Sequence, residues 1–137
     1  MSTTQLWTDE EINTHPELKL IFDDIRHVRK SEFVNNFWRA LANNPTQLKN
    51  TWEQLKVVMM SEGELSPMVR ELIYIAVSTA NGCSYCVHSH TAAARAKGMT
   101  DGQYSELQSV IAMAAQTNAL ATALQVPVDA VFDLSGT

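Results

Sequence analysis

Apolar residues recur at intervals of three and four along nearly the whole chain, which is the period of helices buried on one side. Leu18, Ile21, Phe22, Ile25 and Val28 predict a helix from about Pro16 to Lys30, opened by Thr14-His15-Pro16-Glu17, which has the form of a capping box. Phe33, Val34, Phe37, Trp38 and Leu41 repeat the spacing up to Asn43-Asn44-Pro45, where Asn44 caps and Pro45 takes the first position of the next helix. That helix carries Leu48, Trp52, Leu55, Val58 and Met59 and stops near Gly63. Ser66-Pro67 opens another, which ends at Asn81-Gly82. From Cys83 the chain is helical again to Lys97-Gly98, and Thr100-Asp101-Gly102-Gln103 is a second capping box before a long segment from Tyr104 to Gln125. The pattern predicts an all-α, single-domain bundle of about six helices over residues 1–137. Residues 1–50 form its N-terminal helices and residues from about 50 to 125 its core.

The last helix has one charged residue, Glu106, and places Tyr104, Leu107, Ile111, Ala114, Asn118, Ala121 and Gln125 at heptad-like spacing. Two readings are open for it: an ordinary central core helix, or one packed on its own core and on another subunit. Its Ser, Gln, Thr and Asn content is too high for a membrane span. The 137 residues carry 10 Lys and Arg against 15 Asp and Glu, a net charge of -5, so no positive excess exists to meet a nucleic-acid backbone. Charged residues are 18% of the chain against 45% hydrophobic, too little charge to cover a monomer, so a homo-oligomer is expected. The start has neither a basic region nor an apolar run of the secretory kind, which makes the cytoplasm the expected compartment. Trp7, Trp38 and Trp52 read as core or interface anchors, His15 and His27 as surface or capping residues.

The chain's two cysteines are three residues apart, and in a reducing compartment such a pair is redox-active or metal-binding more often than structural. On a helix Cys83, Cys86 and His90 share one face, while His88 points elsewhere. The unpaired N–H groups of the helix start favour a thiolate at Cys83, and His90, one turn beyond Cys86, is a base within reach of the pair. A dithiol beside a base is equipment for thiol–disulfide exchange or peroxide reduction. Two other readings stand beside this one: buried structural cysteines, and a zinc site with Cys83, Cys86 and His90 as three ligands, although no second ligand pair completes a tetrahedron. Glu71 lies opposite the cluster Leu72, Ile73, Ala76, Val77 and Ala80, so the pattern alone places it in solvent. Its companions Tyr74 and Ser78 are uncharged and leave room for a half-buried polar site.

Glu71, eleven intervening residues, then Cys83-Ser84-Tyr85-Cys86 and His90 resembles the core motif of the alkylhydroperoxidase D-like (AhpD-like) proteins of the carboxymuconolactone decarboxylase superfamily. The resemblance implies that Cys86 attacks, that Cys83 resolves the product into a disulfide, and that Glu71 and His90 form the proton relay that ionises Cys86. Helix-end electrostatics alone chooses Cys83 instead. Tyr85 stands where the family archetype has a histidine serving the first cysteine, and a phenol, ionising near about pH 10, is a poor proton shuttle at neutral pH. The implied activity is that of a peroxidase or disulfide reductase, acting on a peroxide or disulfide substrate. The implied dithiol reductant is a lipoyl protein, thioredoxin or a small thiol. The resemblance also implies an assembly that is a trimer or built from trimers and no organic cofactor, and no bound metal is expected. The superfamily's decarboxylases, lyases acting on a ring lactone acid without redox cysteines, are the alternative enzyme class. A non-catalytic assembly protein on the same helices is the other.

Overall fold

In the computed structural model, which describes residues 1–133, every regular element among those residues is helical. The chain divides into two compact units, Met1–Glu62 and Gly63–Thr137.

The first unit holds α1 (Asp9–Asn13), α2 (Pro16–Arg29), α3 (Asn36–Leu41) and α4 (Pro45–Leu55), the last running into one π-helical turn at Lys56–Met60. The pattern did not predict α1, and its presence corrects the capping box assigned to Thr14 and Glu17. The box belongs to Thr8 and Glu11: the Thr8 hydroxyl accepts from the Glu11 N–H at 3.3 Å, and a Glu11 carboxylate oxygen accepts from the Thr8 N–H at 2.8 Å. Thr14 closes α1 by donating its hydroxyl to the Glu11 carbonyl at 2.7 Å, which leaves His15 to open α2 without a side-chain bond. Leu18, Ile21, Phe22 and Ile25 are buried along α2 as their spacing requires. Val34 is buried from the extended residues ahead of α3, while Phe33 beside it is 72% exposed, so helical spacing there did not mean helix. Trp38 and Trp52 meet edge to face at 5.4 Å in the middle of this core, with the Arg29 guanidinium 5.7 and 5.8 Å from the two rings. Trp7 is half-buried against it, and its indole N–H donates to Asn43 Oδ1 at 3.1 Å.

The second unit holds α5 (Pro67–Ala80), α6 (Ser84–Ala96), α7 (Asp101–Ala123) and a short 3-10 turn at Ala130–Phe132. The caps read from sequence are in place: Ser66 Oγ accepts from the Val69 N–H at 3.3 Å, and Thr100 and Gln103 exchange both bonds of their box. Each of the next two helix ends is a Schellman motif closed by a glycine in the left-handed region. At the end of α5, Gly82 (φ +69°) lets its own N–H reach the Thr79 carbonyl and the Cys83 N–H reach Ser78. At the end of α6, Gly98 (φ +95°) lets its N–H bond Arg95 and the Met99 N–H bond Ala94. Ile75, Ala94 and Met99 form the buried core, with Met68, Leu72, Tyr104, Leu107 and Ile111 packed against it.

Only the first half of α7 touches that core, and none of its residues is buried, which rules out the central core helix. The burial of α5 also departs from the expected one: of the expected apolar face Leu72 packs on the core, but Ile73 and Val77 do not. Glu71, Ile75 and Ser78 are inside, whereas Ile73 is 48% and Val77 54% exposed. Among the described residues no helix is long and apolar enough to cross a membrane.

Candidate functional site

The Schellman turn at Gly82 delivers Cys83 directly into the N-cap of α6, where its sulfur accepts the Cys86 N–H at 3.3 Å. A cysteine thus occupies the place usually held by Ser, Thr, Asp or Asn. Cys86 is the third residue of the helix, still inside the first turn, where N–H groups are unpaired and the macrodipole favours negative charge. The electrostatic preference for Cys83 over Cys86 read from the sequence is therefore smaller than it looked, because the same helix end serves both sulfurs. The two cysteines are joined as a disulfide, their Cα atoms 5.4 Å apart, and both are half-buried.

One turn further along α6, His90 directs Nδ1 at Glu71 Oε2 on α5, at 2.7 Å. Glu71 is 6% exposed, so the solvated position that the helical wheel assigned to it is corrected, and the reason is its partners. Its other oxygen, Oε1, accepts from Lys97 Nζ at 2.9 Å. Burial pushes the Glu71 carboxyl up, but the hydrogen bonds from His90 and Lys97, together with the Lys97 charge, outweigh it and hold the carboxyl below its usual range. An ionised carboxylate only accepts hydrogen bonds, so Nδ1 of His90 carries the proton and Nε2 is the nitrogen left to gain or lose one. Tyr74, one turn after Glu71 on α5, stacks on the imidazole with ring centroids 3.6 Å apart and planes within 20°. The ring is held on one edge and on one face.

The sequence candidates therefore separate. Glu71 and His90 are in contact, and Cys83 and Cys86 are bonded to each other one turn before His90 on the same helix. Tyr85, the second residue of α6, is 44% exposed. His88 is exposed and its Nδ1 lies 2.8 Å from the Ser84 carbonyl. His15 and His27 are exposed and belong to the first unit. Lys97 was read only as a basic residue at a helix end. Its position seven residues after His90, two turns on along one face, was the available signal for its part in the site. Among the described residues no three His, Cys, Asp or Glu side chains are grouped to hold a metal ion.

The chain matches the Carboxymuconolactone decarboxylase family (CMD) over residues 46–129, more than half its length. It is similar to the crystal structure of alkylhydroperoxidase AhpD core from Rhodospirillum rubrum ATCC 11170, with 64% sequence identity over 96% of this chain and 97% of that one, at a TM-score of 0.94. No curated protein matches it.

Proposed function

The chain belongs to the carboxymuconolactone decarboxylase family with an alkylhydroperoxidase D-like core, and from that premise we propose that it is a thiol-dependent oxidoreductase, a peroxidase or disulfide reductase, working through Cys86 and Cys83. The observation that carries this reading is a buried, ionised carboxylate holding the imidazole of His90 one turn from a paired Cys83 and Cys86.

In the reduced protein His90 Nε2 takes the Cys86 proton, and the imidazolium is stabilised by Glu71. The thiolate attacks one peroxide oxygen; the O–O bond breaks, and the departing alkoxide takes the proton back from His90 and leaves as an alcohol. Cys86 is now a sulfenic acid. The Cys83 sulfur displaces its oxygen, which leaves as water, and the disulfide forms. A dithiol reductant, a lipoyl protein, thioredoxin or small thiol, restores both thiols by two exchange steps and is itself oxidised to a disulfide. Tyr85, between the two cysteines in sequence and 44% exposed, is a poor proton shuttle at neutral pH, which favours dithiol exchange over rapid peroxide turnover. The cytoplasm, where thiols are kept reduced, is the compartment that suits this cycle.

The exposed apolar residues Val69, Ile73 and Val77 on α5, and Val110, Met113 and Leu120 on α7, support a homo-oligomer, a trimer or a multiple of it. The test of the cycle is mass and thiol count before and after one equivalent of peroxide. The expected result is loss of two protons and two thiols per chain, and in Cys83→Ser a trappable sulfenic acid on Cys86. Sulfenic acid trapped on Cys83 in Cys86→Ser would instead assign the attack to the helix cap.

A further inference from the structure

Lys97 occupies the C-cap of α6, where a cation is favourable for reasons unrelated to chemistry, since it faces the negative end of the helix. Its ammonium does something more specific: it bonds Oε1 of a carboxylate whose side chain is 8% exposed, while Oε2 of the same carboxylate bonds His90. Glu71 has two oxygens and each has one cation-capable partner. The other titratable groups nearby are differently engaged. On α7, Asp101 pairs with Arg95, and Tyr104 lies beneath the Arg95 guanidinium at 5.3 Å. On α5, Tyr74 is stacked on His90 and Arg70 reaches toward Gly63.

We propose that Lys97 is a positioning residue of the thiol site, which fixes Glu71 as a carboxylate turned toward His90 and so commits the His90 proton to Nδ1. This rests on the proton-relay reading above and extends it from two members to three. Without the ammonium, the buried carboxylate has lost the partner of one oxygen and its nearest fixed positive charge. It then takes up a proton at higher pH than in the wild type. Once protonated, it no longer holds the imidazole by an ionic hydrogen bond, and Nδ1 and Nε2 become equivalent choices for the ring proton. The thiol would lose its base on the acid side of neutrality, while alkaline solution ionises it regardless.

Two measurements on the full-length, reduced protein test this. The first is 15N NMR of histidine-labelled chain from pH 3 to 8, following the His90 Nδ1 resonance. The wild type should show a step where Glu71 titrates, identified as the step that Glu71→Gln removes, and Lys97→Met should show that step moved to higher pH. The second is the rate of Cys86 alkylation by iodoacetamide, read by peptide mass. Lys97→Met should be about tenfold slower at pH 6 and within about twofold of wild type at pH 9. Lys97→Arg, which keeps the charge, should follow wild type in both.

A purely capping role predicts a lower melting temperature with the His90 step unmoved, and that result overturns the proposal. So does Lys97→Arg behaving like Lys97→Met. If Lys97→Met loses its helical signal, Lys97→Gln, a donor without charge, is read in the same way. Failure of the relay reading itself is distinguishable, because wild-type Cys83 would then alkylate faster than Cys86 while the His90 step still reports on Lys97.

Discussion

The two units each hold a carboxyl between an aromatic donor and a lysine, with nearly the same parts, and reach different ends. In the first, Asp24 Oδ2 accepts from the Trp52 indole and from Lys56, each at 2.7 Å, and Lys56 and Trp52 hold its carboxyl below the usual range. In the second, Glu71 accepts from an imidazole and from Lys97. An indole N–H cannot be lost in the working range, and an imidazole proton can, so exchanging one aromatic donor for another replaces a fixed clamp with a pair able to hand on a proton, which is what the proposed relay requires. The surroundings follow the same division. Trp38, Trp52, Phe22, Ile12, Ile25 and Leu48 are at most 1% exposed around the first core. The second unit gives the inside of α5 to Glu71 and Ser78, keeps a core of Ile75, Ala94 and Met99, and leaves Ile73 and Val77 outside. Chemistry placed on the inner face displaces apolar residues to the outer one.

The largest expected effect lies in the second unit. Cys86→Ser should bring peroxide consumption down to the uncatalysed rate while the stability of the reduced protein changes by less than about 0.5 kcal/mol. A large loss of stability in urea would break the assignment of chemistry to one unit and robustness to the other. Trp52→Ala should do the reverse, costing about 3–5 kcal/mol by denaturant titration, since it opens a cavity and unpairs Asp24. A cost near that of an exposed residue would mean that the first core is not the anchor described.

Third in size is the outer face of α5. Ile73→Lys combined with Val77→Glu should convert an oligomer into a particle of one chain's mass by light scattering, and a monomeric wild type at micromolar concentration would refute the oligomer. The smallest effect compares the two carboxyls directly. Both ionise below their ordinary values, 4.5 for Glu71 and 3.8 for Asp24, so each contributes stability that is complete above that value and is lost as pH falls through the folded one. Glu71→Gln should flatten the fall in stability below about pH 4.5. Asp24→Asn should flatten it less and further into acid, because the Asp24 side chain is 40% exposed against 8% for Glu71. Equal slopes would remove the distinction.

Local signals carried much of this into the sequence. Asn44-Pro45, Ser66-Pro67 and the Thr100 to Gln103 box announce helices because a cap is made within four residues. The common face of Cys83, Cys86 and His90 follows from helical geometry alone. What escaped depends on contacts far apart in the chain. Two Thr-x-x-Glu segments have the same form, and only α1, held by Arg26 and Arg39 on Asp9, decides which is the box. The inside of α5 was misread because an apolar pattern sets core against water and has no place for a carboxylate satisfied by two donors from another helix. Glu71 entered the site through the family resemblance, and Lys97 was hidden behind its ordinary use at a helix end.

The stack of Tyr74 on His90 has an optical and magnetic counterpart. A ring lying 3.6 Å above the face of a phenol sits in the shielding cone of its ring current, so the His90 carbon-bound protons should resonate upfield of those of His27 and His88. His15, set edge-on to Trp7 at 75°, meets a differently oriented field. The protein thus labels its own Glu71–His90 pair: one displaced pair of resonances in a one-dimensional spectrum reports whether the imidazole is still in place. The same proximity should quench Tyr74 emission when the ring becomes charged.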